Sequence, residues 1–229
     1  MARPKHGYEL DGEPVVGTTT VCGLLNKPAL VGWAGKTCTE AAWRAGKAGD
    51  PLPRWGEILY GQRDDAASAG TLVHELFEAH LRGQPLPEVP DNKVGQAALQ
   101  GFENAKRWLE GSALEIQPYE KPLVSRTYRY GGTPDALAKS RNSVISLTDW
   151  KTSRGIYAEM AIQMAAYRQL LKECADISVR GVHLVRFSRD YGDFTHHYLG
   201  DDVLDQGWVV FESLLRLHDP LKALEKRVK

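Results

Sequence analysis

Two short stretches place charges where apolar side chains belong. In Ile145-Ser146-Leu147-Thr148-Asp149-Trp150-Lys151 the side chains of a strand would face alternate sides, so Asp149 and Lys151 share a face with Ile145 and Leu147. A carboxylate and an ammonium at the end of an apolar face are costly unless they pair or bind an ion. Trp150 points the other way, toward packing against a helix, and its carbonyl is free to act as a ligand if the strand ends there. Upstream, Gly131-Gly132-Thr133-Pro134-Asp135 sets a second carboxylate at a bent place. The glycines allow close backbone approach or a bulge, and Pro134 removes a ladder donor. Across a hairpin, Asp135 and Asp149 converge. Two carboxylates at one spot repel each other unless a cation lies between them, and a hard divalent ion with oxygen ligands answers that need. Glu120 has the parity of Leu114, Ile116 and Val124, so it is a third charge aimed inward. The Asp149–Lys151 spacing alone also describes an ordinary surface ion pair; three acidic positions on successive strands weigh against that reading.

These positions need elements to hold them. The pattern predicts helices first: one from 18 to 25 capped by Thr18-Thr19-Thr20, one over 39–47, one or two over 55–82 and another over 93–110. Strands follow over 113–124, 127–138 and 143–151, joined by connections short enough for antiparallel hairpins. A helix over 157–175, strands over 177–187 and 193–199, and a last amphipathic helix over 202–217 complete the order. That order predicts a mixed α/β (α+β) fold with a central mixed β-sheet flanked by helices. His196 and His197 are adjacent on a strand, so they face opposite ways and read as structural.

Composition bounds the rest. The 229 residues suffice for one domain with a proper core. Lys plus Arg and Asp plus Glu balance at 29 each, so any nucleic-acid contact must come from a local patch rather than bulk charge. No apolar run approaches a membrane span or a signal peptide, and the three scattered cysteines, Cys22, Cys38 and Cys174, fit reduced thiols in a cytoplasm.

Pro134-Asp135 followed by Asp149-Trp150-Lys151 resembles the core signature of the PD-(D/E)XK nuclease superfamily. Gly70-Thr71-Leu72-Val73-His74 resembles the G-x-x-x-H motif of its RecB-like branch, and Gln163-Met164-Ala165-Ala166-Tyr167 its Q-x-x-x-Y motif. The run from Thr18 through Lys27-Pro28-Ala29-Leu30 to Trp33-Ala34 is similar to phage-encoded members. The resemblance implies one nuclease domain over 1–229, with a restriction-endonuclease-like αβββαβ core over 66–229 and an N-terminal helical, DNA-end-contacting region over 1–65. It implies a metal-dependent deoxyribonuclease, an exonuclease of phage recombination or repair, using Mg2+ or Mn2+. Metal ligands would be His74, Asp135, Asp149 and the Trp150 carbonyl; Asp135, Asp149, Lys151 and Glu120 would be catalytic. Gln163 and Tyr167 would touch DNA or support the site. A single-strand annealing protein would be a second partner. Some relatives hold an iron–sulfur cluster on four cysteines; this chain has three, so no cluster is expected.

The residues by themselves leave alternatives open. A lone His74 on an apolar helix face also reads as a core histidine, and Tyr167 as core beside Met160, Met164 and Leu171. Gln163 and Tyr167 do share a helix face. Between Trp33 and Arg63, aromatics alternate with bases, as in Trp43, Arg44, Lys47, Trp55 and Tyr60. They read either as stacking platforms for unpaired strands or as buried rings beside solvated charges. An endonuclease of the same superfamily and a non-catalytic DNA-end-binding module remain the competing functions.

Overall fold

The structure, a computed structural model, describes residues 7–25, 28–119 and 121–228, with the backbone alone at 28 and 29. Glu120, the third acidic candidate, and Lys27 lie outside the described residues. The chain opens with β1 (Tyr8–Leu10) and β2 (Glu13–Gly17), then α1 (Thr18–Cys22), α2 (Pro28–Ala48), α3 (Trp55–Leu81) and α4 (Lys93–Ser112). Next come β3 (Glu115–Pro118), β4 (Leu123–Val124), β5 (Tyr130–Gly132), β6 (Ala136–Lys139) and β7 (Ile145–Lys151). Helix α5 (Ala158–Ala175), β8 (Val182–Phe187), β9 (Phe194–Leu199) and α6 (Asp201–Arg227) finish it. Among the described residues no helix is long and apolar enough to cross a membrane.

The mixed α/β class and the flanking helices are as expected, but the single central sheet is two. A four-stranded sheet has the order β1-β2-β5-β4 and a five-stranded sheet the order β3-β6-β7-β8-β9. The expected strands over 113–124 and 127–138 each break and change sheet. The breaks fall where prolines deny the ladder a donor: Pro118 and Pro122 in one, Pro134 in the other. The N-terminal region is also not wholly helical. Asp11 and Gly12, at φ 54° and 83°, turn β1 back on β2; an Asp-Gly pair is a strong hairpin signal, and it stood in the sequence. Thr18 does not cap α1, because Gly17 holds that position without a side-chain bond. The Thr18 hydroxyl instead donates to the Gly131 carbonyl at 2.8 Å, tying α1 to β5. Helix α2 starts well before residue 39, and α6 runs past 217 through Pro220.

Strand alternation sends the two faces of the five-stranded sheet into separate cores. Leu147 and Leu184 join Met164, Leu170, Leu171 and Phe211 under α5 and α6. Trp150, Val185 and Phe187 join Val73, Phe77, Phe102 and Trp108 under α3 and α4. Phe77 meets Trp150 edge to face at 5.0 Å between centroids, an arrangement that aromatic quadrupoles favour. Asp149 and Lys151 follow the parity of Leu147, toward α5.

Candidate active site

Strands β6 and β7 run antiparallel with Ala136 opposite Thr148. One step further along this ladder, where β6 begins and β7 ends, Asp135 comes to Asp149, and their carboxyl groups are within hydrogen-bonding reach. Both are buried, at 7% and 2% exposure. Burial raises both carboxyls above the ordinary range, Asp149 to about 6 against the pull of Lys151. The Lys151 ammonium pairs with Asp149 Oδ2 at 2.6 Å.

Helix α3 lies on the other face of the sheet, so His74 meets the carboxylates past the strand ends. Its Nδ1 stands 3.7 Å from Asp135 Oδ2. The ring also hydrogen-bonds the backbone of Trp150, and the Trp150 amide in turn donates to Asp135 Oδ2 at 3.4 Å. Burial and then the Lys151 charge push the imidazole pKa down to about 4. It is therefore neutral at ordinary pH, the form that ligates metals. His74 is 8% exposed, so it is buried as a core histidine would be, yet it is turned to a polar cluster.

On α5 the one-turn spacing of Gln163 and Tyr167 does what i,i+4 spacing allows. Gln163 Oε1 accepts from Lys151 Nζ at 3.1 Å, and its Nε2 donates to the Tyr167 hydroxyl at 2.9 Å. Tyr167 is both core and network: its ring is buried, and burial holds its hydroxyl firmly protonated. The two glycines before Asp135 explain themselves here. A Cβ on Gly132 would lie 2.6 Å from the Tyr167 ring, and one on Gly131 2.2 Å from the Tyr8 ring. These are the close approaches that glycine permits.

Other residues were not marked by spacing. Tyr8 reaches from β1 to the Thr133 hydroxyl at 3.0 Å, two residues before Asp135. Arg189, in the turn between β8 and β9, donates to the Thr152 carbonyl at 3.0 Å just beyond β7 and to the Ala66 carbonyl on α3. It thereby staples the His74 helix to the strand of Asp149 and Lys151. Beside it, Gly70 comes so close to Thr152 that a Cβ would lie 2.7 Å from its hydroxyl. No periodicity announces such contacts, which join residues 37 to 125 positions apart in the chain. His196 takes a hydrogen bond from Trp108 Nε1 at 3.3 Å and faces His183 at 2.9 Å. It belongs to a separate polar cluster across β8 and β9.

The donor chemistry of His74, Asp135 and Asp149 fits a divalent cation. Two buried carboxylates and a neutral imidazole face one ammonium, which leaves one negative charge uncompensated when both acids ionise. Among the described residues, however, no three His, Cys, Asp or Glu side chains form a ready-made metal cluster.

No family model matches the chain. No curated protein matches it in sequence. Among solved structures it overlaps a candidate exonuclease of Eubacterium rectale at 14% identity, covering 71% of this chain and 72% of that one, with a TM-score of 0.46. It also overlaps the alkaline exonuclease of Laribacter hongkongensis at 14% identity, 72% and 92% coverage and a TM-score of 0.32. The complex of that exonuclease with dAMP gives 15% identity, 69% and 84% coverage and a TM-score of 0.36.

Proposed function

We propose that this chain is a divalent-metal-dependent DNA nuclease of the PD-(D/E)XK, RecB-like type, hydrolysing phosphodiester bonds at DNA ends. The observation that carries this reading is one buried cluster: Asp135, Asp149, His74 and Lys151 at the end of β6–β7, braced by Gln163 and Tyr167 from α5. A structural ion pair needs neither the second carboxylate nor the imidazole.

His74, Asp135, Asp149 and the Trp150 carbonyl would hold Mg2+ or Mn2+. When bound, such an ion supplies Lewis acidity at a non-bridging phosphate oxygen and lowers the pKa of a water. The chain's own residues do the rest. Asp149 and Gln163 fix Lys151 Nζ between them. That compact donor orients the attacking water or neutralises charge growing on the phosphoryl oxygens. Tyr167 holds the Gln163 amide, so Lys151 is positioned through two hydrogen bonds rather than one. Glu120 stays a candidate by its place in sequence alone. Recombination or repair of DNA ends, with a single-strand annealing protein as partner, is the setting that fits. The three free thiols are too few for a four-cysteine cluster, and iron analysis after anaerobic purification checks that.

Incubation with linear and covalently closed circular DNA in Mn2+ tests the function. Loss of linear DNA alone is the expected result, and nicking of circles would make the enzyme an endonuclease. Sparing of both would make the chain a binding module, and turnover in EDTA would remove the metal from the mechanism.

A further inference from the structure

Helix α3 is two things in succession. Its second half is core, beginning at Ala69 and carrying His74; no buried residue precedes Ala69. The first half nonetheless carries large rings. Trp55 is 65% exposed and Tyr60 51%, and their centroids are 6.3 Å apart. The Arg63 guanidinium covers the Tyr60 ring at 4.8 Å. Arg54, Trp55 and Tyr60 line an open groove of about 540 Å³. Exposed apolar surface of this kind usually marks a binding site.

The register of these residues is informative. Ala67, Arg63 and Tyr60 precede His74 by seven, eleven and fourteen residues, which is close to two, three and four turns. All three therefore lie on the His74 side of the helix. At 1.5 Å per residue, Tyr60 stands ~21 Å and Arg63 ~16 Å from His74 along the axis. Between them on that side lie the small, exposed Ala67 and then the buried Gly70, packed against Thr152.

The charges select the occupant. Arg54 and Arg63 are met by Glu57, Asp64 and Asp65, and Arg63 is ion-paired with Asp64 at 2.9 Å. With two cations against three carboxylates the segment cannot hold the phosphate backbone of a duplex or of a single strand, so only a base laid on its rings could be retained there. What it offers is flat ring faces and a stacked guanidinium. Those suit bases that are not already paired and stacked. Continuing the proposed nuclease reading, we infer that the Trp55–Tyr60–Arg63 cluster at the start of α3, with Tyr60 and Arg63 on the His74 side, is a stacking platform for an unpaired nucleic-acid strand, set at a fixed distance along one helix from the hydrolytic site. At ~3.4 Å per stacked nucleotide, the ~21 Å between Tyr60 and His74 corresponds to about six nucleotides.

Fluorescence anisotropy of a labelled twelve-residue oligothymidylate, on the full chain in EDTA, tests this without turnover. Tyr60→Ala and Trp55→Ala should each weaken binding about tenfold, within the range known for loss of one base–ring stack. Tyr60→Phe should bind like the native chain, and circular dichroism checks that the exposed substitutions leave the fold intact. The salt dependence should be shallow, and a duplex of equal length should bind more weakly. Affinity indifferent to both rings, or equal for the duplex, overturns the proposal. So does a dimer, seen by sedimentation, that dissociates in Tyr60→Ala while oligonucleotide binding is unchanged, since the patch then belongs to a second copy. Hydrolysis of bis(p-nitrophenyl) phosphate by the native chain in Mn2+ reads the nuclease site separately. Its absence alongside ring-dependent binding would sink the nuclease reading and leave the platform; its presence alongside ring-independent binding would do the reverse.

Discussion

Replacing Lys151 with Met keeps the apolar stem and removes the charge 2.6 Å from Asp149. Stripping one partner from a buried ion pair ordinarily costs about 3–5 kcal/mol, because the other charge is stranded. Asp149 has an escape: its pKa in the fold already stands at about 6, against an ordinary 3.8, so it can take up a proton instead. At pH 7 that proton costs about 1.4 kcal/mol, one pH unit's worth. The sign follows from proton counts. Between pH 3.8 and about 6 the folded chain holds a proton at Asp149 that the unfolded chain has lost, so stability falls with rising pH in native chain and variant alike. Above about 6 the native carboxyl ionises beside Lys151 and its loss stops, whereas the variant keeps losing. The pH-dependent part of the Lys151→Met deficit, over a constant loss of the Gln163 hydrogen bond, should therefore be near zero at pH 5. It should be about 1.4 kcal/mol at pH 7, a drop of roughly 3–6 °C in Tm for a chain of this size. By pH 8.5 it should approach about 3 kcal/mol, near the stranded-charge limit. Urea unfolding followed by circular dichroism at the three pH values reads this directly. The same deficit at all three, or none at any, would refute the view that Lys151 is what lets Asp149 ionise in the fold.

Mn2+ binding measured by calorimetry should weaken about tenfold per pH unit below 6, as protons compete for Asp149; constant affinity down to pH 5 would exclude Asp149 as a ligand. His74, held near 4, should contribute no titration above pH 5. Gln163→Ala removes the Gln163 hydrogen bond from Lys151, which keeps Asp149, and leaves the buried Tyr167 hydroxyl without its Gln163 partner, a loss of about 1–3 kcal/mol. Cleavage should fall at least roughly tenfold, and unchanged turnover would show the network idle. Gly132→Ala forces a methyl within 2.6–2.8 Å of Tyr167, Thr18 and Leu170, and scanning calorimetry should find about 1–3 kcal/mol of overpacking.

Much of the site was legible because it follows local rules. Strand parity put Asp149 and Lys151 on one face, and helical spacing put Gln163 and Tyr167 on another; the structure brings these two faces into contact. The paired glycines before Asp135 read as a close approach, and Tyr8 and Tyr167 are what approaches. Sheet membership was not legible. Strands β4 and β5 are two and three residues long, too short for alternation to show, and only tertiary pairing decides which sheet each joins. Arg189 was invisible for a related reason. It is one polar residue in a turn, and its importance lies in two carbonyls distant in sequence, Ala66 and Thr152.

That staple also divides the dynamics of α3. Beyond Ala66, toward Trp55, no side chain is fully buried and Gly56, Ile58 and Leu59 are only half-buried, so the backbone hydrogen bonds there are less sheltered than in the second half. Past the staple, Ala69, Val73, Leu76 and Phe77 lock the helix into the core. Amide exchange along this single helix should therefore be fast from its first turn and slow sharply near Ala66, with protection approaching the global unfolding limit around His74. The helix is therefore held unevenly: its root keeps His74 fixed against the carboxylates, while its first turns, half-buried at most, are the first to open.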